Sequence, residues 1–282
     1  MKTKHLRLMQ RAYVILFFCF MYLPIAYMVV FSFNQSKGYA LFTGFTLKWY
    51  TSLLHNSAIL SALRVSLEVA LISAVIATVL GTAASLGIAS MSRKSRLVVT
   101  NITYIPVVNP EIITGISLML LFVAYQRFAE GVSWLPDTIM GMPTLLIAHI
   151  AFNVPYVIFN VTPKLKQLDI KLYEAALDLG CDPRQAFFKV ILPELSPAIL
   201  SAFLICLTYS IDDFMISYFN CGTVETLPIA IYSMTRKKVS PEIYALSTIM
   251  FVVILTIILI SNAMESREYR RDQKALRGED VK

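Results

Sequence analysis

The sequence predicts an all-α membrane protein with about six transmembrane helices, for three reasons. Of the 282 residues, 57% are hydrophobic and only 15% are charged, so the chain has more apolar surface than a soluble domain of this length can bury. The apolar residues gather in six long stretches, each near or above the roughly 20 residues that cross a hydrocarbon core. Because backbone groups in lipid must be paired within the chain, and since no series of short alternating segments indicates a barrel, these stretches are predicted to be helices. They lie at 12–33, 63–90, 98–124, 140–161, 198–220 and 242–262.

The first apolar stretch follows four basic residues, Lys2, Lys4, Arg7 and Arg11, as in a secretory signal peptide. Its apolar run is too long for such a peptide, and no small-residue cleavage site follows it. We therefore expect this stretch to be retained as the first membrane helix.

Basic residues are distributed unequally between the segments that connect the stretches. If the amino terminus is cytoplasmic, most of the 25 Lys and Arg residues lie on the cytoplasmic side, as the positive-inside rule requires. This predicts that both termini and the polar segment at about 162–197 are cytoplasmic. The net charge of +7 is then a signal of topology rather than of nucleic-acid binding, and the basic carboxyl-terminal tail is expected to lie near anionic membrane lipid.

Polar residues interrupt the third and fourth stretches. Pro110 removes a backbone donor from the third, so a break is expected there, and Glu111 serves either a substrate pathway or helix packing. His149 in the fourth stretch is expected to be packed or hydrogen-bonded rather than to bind a metal. The four Cys residues are isolated from one another, so neither a disulfide nor a zinc site is expected.

The polar segment between the fourth and fifth stretches predicts a compact helix-turn-helix outside the membrane. Gly180 permits the backbone reversal that ends a first short helix. Asp182 and Pro183 then provide a cap and a first-turn proline for a second helix. One face of the first helix is predicted to contain Leu172, Ala175, Ala176 and Leu179.

The spacing of residues in this segment resembles the E-A-A loop of the inner-membrane permease subunits of bacterial ABC importers. That pattern is Glu-Ala-Ala, three residues, Gly, nine residues, Ile, one residue and Leu-Pro, and here Val190 replaces the Ile. The resemblance implies the type I importer permease (MetI-like) fold in a single transmembrane domain, 1–282. It also implies that the loop at about 162–197 docks on a separate ATPase subunit, whereas the alternative is an ordinary amphipathic loop. The residues assigned to ATPase coupling are Glu174, Ala175, Ala176, Gly180 and Pro193.

Two adjacent carboxylates, Asp212 and Asp213, lie in the fifth apolar stretch. Each costs about 2.5–3.5 kcal/mol at the middle of a bilayer, so both need a cation, a water-filled cavity or a partner group. If the stretch is one continuous helix, Asp213 shares a face with Tyr209 and Ser210, and Asp212 points about 100° away. The pair either lines a cation pathway or bonds to Ser or Tyr on a neighbouring helix.

The residues around this pair resemble a narrower family, the PotC-type permeases of bacterial spermidine/putrescine ABC importers. The resemblance extends over nearly the whole chain and includes Ser210-Ile211-Asp212-Asp213-Phe214 and Lys48-Trp49-Tyr50. It implies a polyamine pathway, and the physical chemistry agrees because carboxylates pair with ammonium groups and aromatic faces attract cations. For Trp49, an anchor at the membrane interface is the alternative. The predicted pathway residues are Trp49, Glu111, Tyr209, Ser210, Asp212 and Asp213.

The chain has no sequence motif for energy conversion or catalysis. No glycine begins a G-x-x-x-x-G-K-[ST] loop, and neither a nucleophile elbow nor an H-E-x-x-H helix is present, so the chain is not expected to be an enzyme or to hold a cofactor or metal. ATP and magnesium would be bound by the partner ATPase.

The resemblance implies a complex in the bacterial inner membrane. It would contain a homologous permease as heterodimer partner, two copies of an ATP-binding subunit and a polyamine-binding protein, without nucleic acid. The alternatives are import of another organic cation or small solute, or a secondary transporter that works alone, which would not need the motif at Glu174.

Overall fold

The computed structural model of the protein describes residues 2–38, 41–130, 139–237 and 241–276, with side chains described except at 2–8, 237, 265 and 267–276. The side chains of the basic carboxyl-terminal tail therefore lie outside the described residues. Within the described part, the one β pairing is an isolated antiparallel bridge between Asn34 and Phe45. The helices are α1 (Lys2–Phe31), α2 (Lys48–His55), α3 (Ser57–Ser90), α4 (Arg93–Val108), α5 (Glu111–Ala129), α6 (Met142–Gln167), α7 (Ile170–Asp178), α8 (Pro183–Ala186), a π-helical turn (Phe187–Ile191), α9 (Leu192–Asp212), α10 (Met215–Asn220), α11 (Leu227–Lys237) and α12 (Pro241–Leu276).

Six helical segments of the described chain are long and apolar enough to cross a membrane, which confirms the predicted number and the all-α class. They correspond in order to the six predicted stretches. Their bounds are Met9–Phe31, Ser57–Ser90, Glu111–Ala129, Met142–Gln167, Pro183–Asp212 and Pro241–Met264.

The third predicted helix, at 98–124, is two helices in the structure. α4 ends at Val108 and α5 begins at Glu111, while Asn109 and Pro110 have extended backbones with ψ of 135° and 134°. Proline cannot donate a helical hydrogen bond, and it disfavours the helical conformation of the residue before it. The prediction of a break at Pro110 is confirmed.

The prediction of one continuous fifth helix at 198–220 is wrong. α9 ends at Asp212, Asp213 is extended with ψ of 124°, and the short α10 begins at Met215. The Asp213 carboxylate accepts hydrogen bonds from the amides of Ile216 and Ser217. A side chain that takes up these amides offers the backbone an alternative to a continuous helix, and this competition ends α9.

Contacts within the chain define two compact units, Met1–Leu60 with Ala230–Val253, and Ser61–Ile229 with Ile254–Lys282. Helices α3, α11 and α12 pass from one unit to the other along the sequence. The prediction of one domain over 1–282 stays a prediction.

The second unit is organised around α6. One half of α6 packs with α3 and α9. The approach to α3 is close, because a Cβ added to Gly81 would lie 2.5 Å from the Cβ of Val157. The other half packs with α5 and α10 through Phe122, Ala148, Phe152 and Ile216. These contacts place both helix breaks, the one before α5 and the one after α9, beside the same part of α6.

The first unit contains a compact segment between α1 and α2. The Asn34 amide group donates to the carbonyls of Gly38 and Leu41, and its Oδ1 accepts from the Thr43 amide at 2.8 Å. The indole N–H of Trp49 donates to the Asn34 carbonyl at 2.7 Å. Asn34 therefore fixes the segment from within.

Candidate functional site

A cavity of about 350 Å³ lies where the second unit has its two helix breaks. It receives side chains from the start of α5, the middle of α6, the end of α9, the break before α10 and the first residue of α10. Its lining consists of Glu111, Phe152, Tyr156, Tyr209, Asp212, Asp213, Phe214 and Met215.

The two breaks supply three carboxylates to this cavity. Glu111 is the first residue of α5 and is exposed, and Asp212 is the last residue of α9 and is also exposed. Asp213 is only 7% exposed. None of the described residues that line the cavity is Lys or Arg, so the lining supplies negative charge without a cation of its own.

Asp213 is held by neutral donors. Its Oδ2 accepts from the Ser217 amide at 2.7 Å, and its Oδ1 accepts from the Ile216 amide at 3.3 Å. The Nε2 atom of the buried His149 lies 3.6 Å from the same Oδ2. The two amide dipoles hold the carboxylate in place, and because an amide has no net charge they do not cancel the charge of the carboxylate.

Aromatic rings form much of the remaining lining. The rings of Tyr156 and Tyr209 meet edge to face with centroids 4.8 Å apart. Phe152 packs against Tyr156 at 5.1 Å and lies 6.3 Å from Tyr209. Ring faces attract cations, so the cavity combines carboxylates and aromatic surface, the two features that bind alkylammonium groups.

Ser210 is not among the lining residues, although the sequence places it beside the carboxylates. Its Oγ accepts from the Asn153 amide group at 2.8 Å and lies 3.2 Å from the Ser73 Oγ. Because the helix ends at Asp212, the predicted shared face of Tyr209, Ser210 and Asp213 does not exist. Tyr209 and Asp213 reach the cavity, and Ser210 joins α3, α6 and α9.

Trp49 belongs to the other compact unit and is buried. Its indole N–H is bonded to Asn34, and the Lys48 ammonium lies 5.9 Å from its ring centroid. The indole thus packs within the segment that follows α1. Its role in a substrate pathway stays a prediction.

Sequence reasoning missed the contribution of α6. Phe152 and Tyr156 are four residues apart, a spacing that puts two rings on one helix face and signals a possible ligand surface. His149 is packed and hydrogen-bonded, as predicted, but its position beside Asp213 depends on the fold. Three polar contacts tie α6 to α9 and α10: Thr144 Oγ1 donates to the Asn220 carbonyl at 2.8 Å, His149 Nε2 lies 3.0 Å from Ser217 Oγ, and Asn153 donates to Ser210 at 2.8 Å.

The polar segment between α6 and α9 has the predicted local structure. α7 ends at Asp178, Gly180 has a φ of +88°, and the Asp182 carboxylate accepts from the Gln185 amide at 2.7 Å to cap α8. Pro183 occupies the first turn of α8. The predicted helix, reversal and cap are therefore confirmed.

The apolar face predicted for α7 is divided in the structure. Ala176 is buried, whereas Leu172 and Ala175 are exposed and Leu179 is 86% exposed. Glu174 is exposed as well. Part of the face is therefore available to another molecule, and Ala176 anchors α7 to its own chain.

These features agree with a comparison against protein families. The family described as binding-protein-dependent transport system inner membrane component matches residues 77–271. The chain belongs to this family. Together with the six apolar helices, this makes it a multi-pass inner-membrane transport subunit that works with a binding protein, rather than an enzyme.

Similar proteins of established name cover almost the whole chain. The putrescine transport system permease protein PotI of Escherichia coli K12 is 38% identical over 273 residues, which are 94% of this chain and 95% of that protein. The spermidine/putrescine transport system permease protein PotC of Shigella flexneri is 33% identical over 277 residues, 98% of this chain and 99% of that protein.

The fold is similar to that of a chain in the crystal structure of a bacterial alginate ABC transporter in complex with an alginate pentasaccharide-bound periplasmic protein. The TM-score is 0.73, the sequence identity is 18%, and the match covers 94% of this chain and 95% of that chain. At this identity the similarity concerns the fold alone, and it confirms the predicted ABC importer permease fold.

Proposed function

We propose that the chain is the transmembrane permease subunit of an ATP-driven importer that moves polyamines such as putrescine and spermidine into the cytoplasm. The observation that carries the proposal is the cavity at the two helix breaks. It is lined by the carboxylates of Glu111, Asp212 and Asp213 together with aromatic rings.

A polyamine is a flexible alkyl chain with ammonium groups, and this cavity is suited to it. Carboxylates can form charge-assisted hydrogen bonds with an ammonium group. The ring faces of Tyr156 and Tyr209 can attract the same group and cover the methylene carbons beside it. Because the cavity has no basic lining residue in the described chain, an entering cation meets no repulsion from its walls.

The names of the relatives support this substrate class, since both are polyamine permeases and both align with nearly the whole chain. Another organic cation is the second candidate, because the same carboxylates and rings would bind it. A transporter that works alone is disfavoured because the family is a component of binding-protein-dependent systems.

The proposed complex contains a homologous permease as heterodimer partner, two copies of an ATP-binding subunit and a polyamine-binding protein. ATP and magnesium are bound by the ATP-binding subunits, and both termini of this chain are cytoplasmic. The exposed apolar side chains Leu172, Leu179 and Phe188 supply a surface for the ATPase to contact.

Helix geometry supports a direct route from that surface to the cavity. The chain is helical from Pro183 to Asp212, a length of about 45 Å at 1.5 Å per residue. Its first part includes the π-helical turn, Phe187–Ile191, and its last residue is a cavity carboxylate. Movement of the cytoplasmic segment can therefore change the position of Asp212 through one element.

The proposal is tested with Asp212→Asn in the complete complex, reconstituted in vesicles with the loaded binding protein. Asn keeps the size of the side chain and removes the charge, so polyamine uptake should fall by more than about tenfold, or about 1.4 kcal/mol. Asp212 is preferable to Asp213 for this purpose, because Asp213 also accepts two backbone amides.

The matched control is Glu68→Gln, which removes a carboxylate from a membrane helix outside the cavity. Glu68 pairs with Arg64 at 2.7 Å, and a Gln side chain can keep a hydrogen bond to that guanidinium, so uptake should change far less than after loss of a cavity carboxylate. Wild-type uptake by the Asp212→Asn complex, at equal yield, would contradict the cation pathway.

A further inference from the structure

We propose that His149 is a positioning residue that holds the Asp213 carboxylate at the cavity without neutralising it. The inference rests on the proposed function, because it concerns a carboxylate of the same cavity. His149 is a residue of α6 that lies beside Asp213 and does not itself line the cavity.

The contacts of His149 are with the break between α9 and α10. Its Nε2 atom lies 3.0 Å from Ser217 Oγ and 3.6 Å from Asp213 Oδ2. The side chain is only 1% exposed. Ser217 makes two contacts, because its hydroxyl meets the ring and its backbone amide donates to Asp213. The ring and the first turn of α10 therefore both lie near one carboxylate oxygen, Oδ2.

The unpaired Nδ1 atom of His149 indicates which nitrogen holds the proton. Nδ1 is buried and has no hydrogen-bond partner in the described chain. A buried N–H without a partner is rare in proteins, so Nδ1 carries no proton, and the ring is neutral with its single proton on Nε2. That nitrogen lies 3.0 Å from Ser217 Oγ and 3.6 Å from Asp213 Oδ2.

A neutral donor at this position has a specific consequence for the charge of Asp213. Lysine or arginine here would form an internal ion pair and cancel the negative potential that an ammonium group requires. No Lys or Arg in the described chain forms an ion pair with Asp213. The carboxylate is therefore fixed by two amides of α10, and the His149 ring holds one of them in place through Ser217, while the charge of the carboxylate remains available to a substrate.

α6 holds the chain on both sides of the break. Asn153 donates to Ser210 before the break, and His149 contacts Ser217 after it. The two α6 residues are one helical turn apart. Their contacts span the interruption at Asp213, so the side chain of His149 determines where the carboxylate lies relative to α6.

The test compares two amide replacements of His149 in the complete reconstituted complex. The amide nitrogen of Gln reaches about as far as ring Nε2, whereas that of Asn reaches only about as far as Nδ1. His149→Gln should therefore retain at least about half of wild-type polyamine uptake, and His149→Asn should lose at least about fivefold. Equal uptake by the two variants, whether high or low, would overturn the positioning role.

If the Asn variant does not assemble, His149→Met replaces it, because Met fills more of the site and has no donor. Complex yield and thermal unfolding are measured for each variant. A requirement for packing alone predicts that Met performs as well as Gln, and that result would also overturn the inference.

A double variant links the effect to Asp213. In an Asp213→Asn background the charge is absent, so adding His149→Asn should lower uptake no further. If the double variant loses uptake by the product of the two single-variant losses, the positioning role is overturned. If Asp213→Asn lowers uptake and His149→Asn does not, only the positioning role of His149 is rejected. If Asp213→Asn itself leaves uptake at the wild-type level, the cation pathway and the positioning role are both rejected.

Discussion

Asp212 and Asp213 are neighbours in the sequence, yet their side chains have different surroundings. Asp212 ends a helix and is exposed, while Asp213 is buried and accepts two amides of the next helix. The first is free to follow a passing cation, and the second is fixed. One carboxylate pair can therefore both capture an ammonium group and give it a defined position.

At the scale of single residues, Tyr209 tests the aromatic part of the cavity. Tyr209→Phe keeps the ring face and should retain most polyamine uptake, whereas Tyr209→Leu should lower uptake by about threefold to thirtyfold, as expected for the loss of about 0.5–2 kcal/mol of cation–π attraction. Uptake is measured in vesicles at equal complex yield. If Phe impairs uptake as much as Leu, the hydroxyl rather than the ring face is required.

Trp49 allows a second test at this scale. Trp49→Phe keeps an aromatic ring but leaves the buried Asn34 carbonyl without its donor, which should lower the free energy of unfolding by about 1–3 kcal/mol. We expect a lower midpoint in thermal unfolding of the complex and an unchanged polyamine concentration for half-maximal uptake. A raised concentration without a change in stability would instead support a direct contact with the substrate.

At the scale of elements, the two breaks have different physical origins but meet at one place. The break before α5 follows from proline, and the break after α9 follows from an aspartate side chain that takes up helix amides. Both leave backbone groups and charges that lipid would penalise. Packing around α6 brings them to one cavity, where Asp213 is buried and Glu111 and Asp212 remain exposed.

Gly115 tests the contact between α5 and α10. A Cβ at this position would lie 3.2 Å from the Met215 carbonyl oxygen and 3.4 Å from the Ile216 Cα. Gly115→Ala should be tolerated after a small shift, whereas Gly115→Leu should displace α10 and reduce uptake by more than about tenfold. Full uptake by the Leu variant would show that α10 does not need this close approach.

Gly180 tests the reversal after α7. Its φ of +88° strains any other residue, but a Cβ there would meet no atom of this chain within 4 Å. Gly180→Ala should therefore have a mild effect of about 1 kcal/mol, and Gly180→Asp should abolish uptake because it adds bulk and charge toward the ATPase. Both variants should insert in the membrane, which is checked by their yield. Equal, mild effects would place Gly180 outside the ATPase contact.

For the molecule as a whole, the proposed function requires a route from the segment that contains α7 and α8 to the cavity. Glu174 is exposed on α7, and the helical run from Pro183 ends at Asp212. A defect at Glu174 should therefore affect the coupling of ATP hydrolysis to transport and leave the cavity intact.

The corresponding variant is Glu174→Ala in the complete complex. ATP hydrolysis stimulated by the loaded binding protein should fall several-fold, about 1 kcal/mol of lost coupling, while the permease still co-purifies with its partners. Glu130→Ala, at the end of α5, removes an exposed carboxylate outside the loop at about 162–197 and serves as the control. Wild-type stimulation in the Glu174 variant would exclude this residue from coupling.

The amino-acid sequence was sufficient to predict the membrane class, the number of membrane helices and the helix-turn-helix between α6 and α9. Those features depend on local properties of the chain. The length of an apolar stretch predicts a membrane helix, and proline, glycine and capping residues affect only the backbone within a few positions. The break at Pro110 was predictable for the same reason. The family resemblance at Glu174–Pro193 and around Asp212 also needed only spacing along the chain.

Only the tertiary structure decided which side chains form the cavity. A continuous fifth helix is the simplest interpretation of an apolar stretch, and it fails because the Asp213 carboxylate accepts the amides of Ile216 and Ser217, a local alternative to the helical ladder. The packing of α10 against α5 and α6 then holds this break in place. That packing turns Ser210 into a buried contact, brings Phe152 and Tyr156 to the carboxylates, and places His149 behind Asp213. Distances between separate helices determine these relations, and the order of residues in one segment does not encode them.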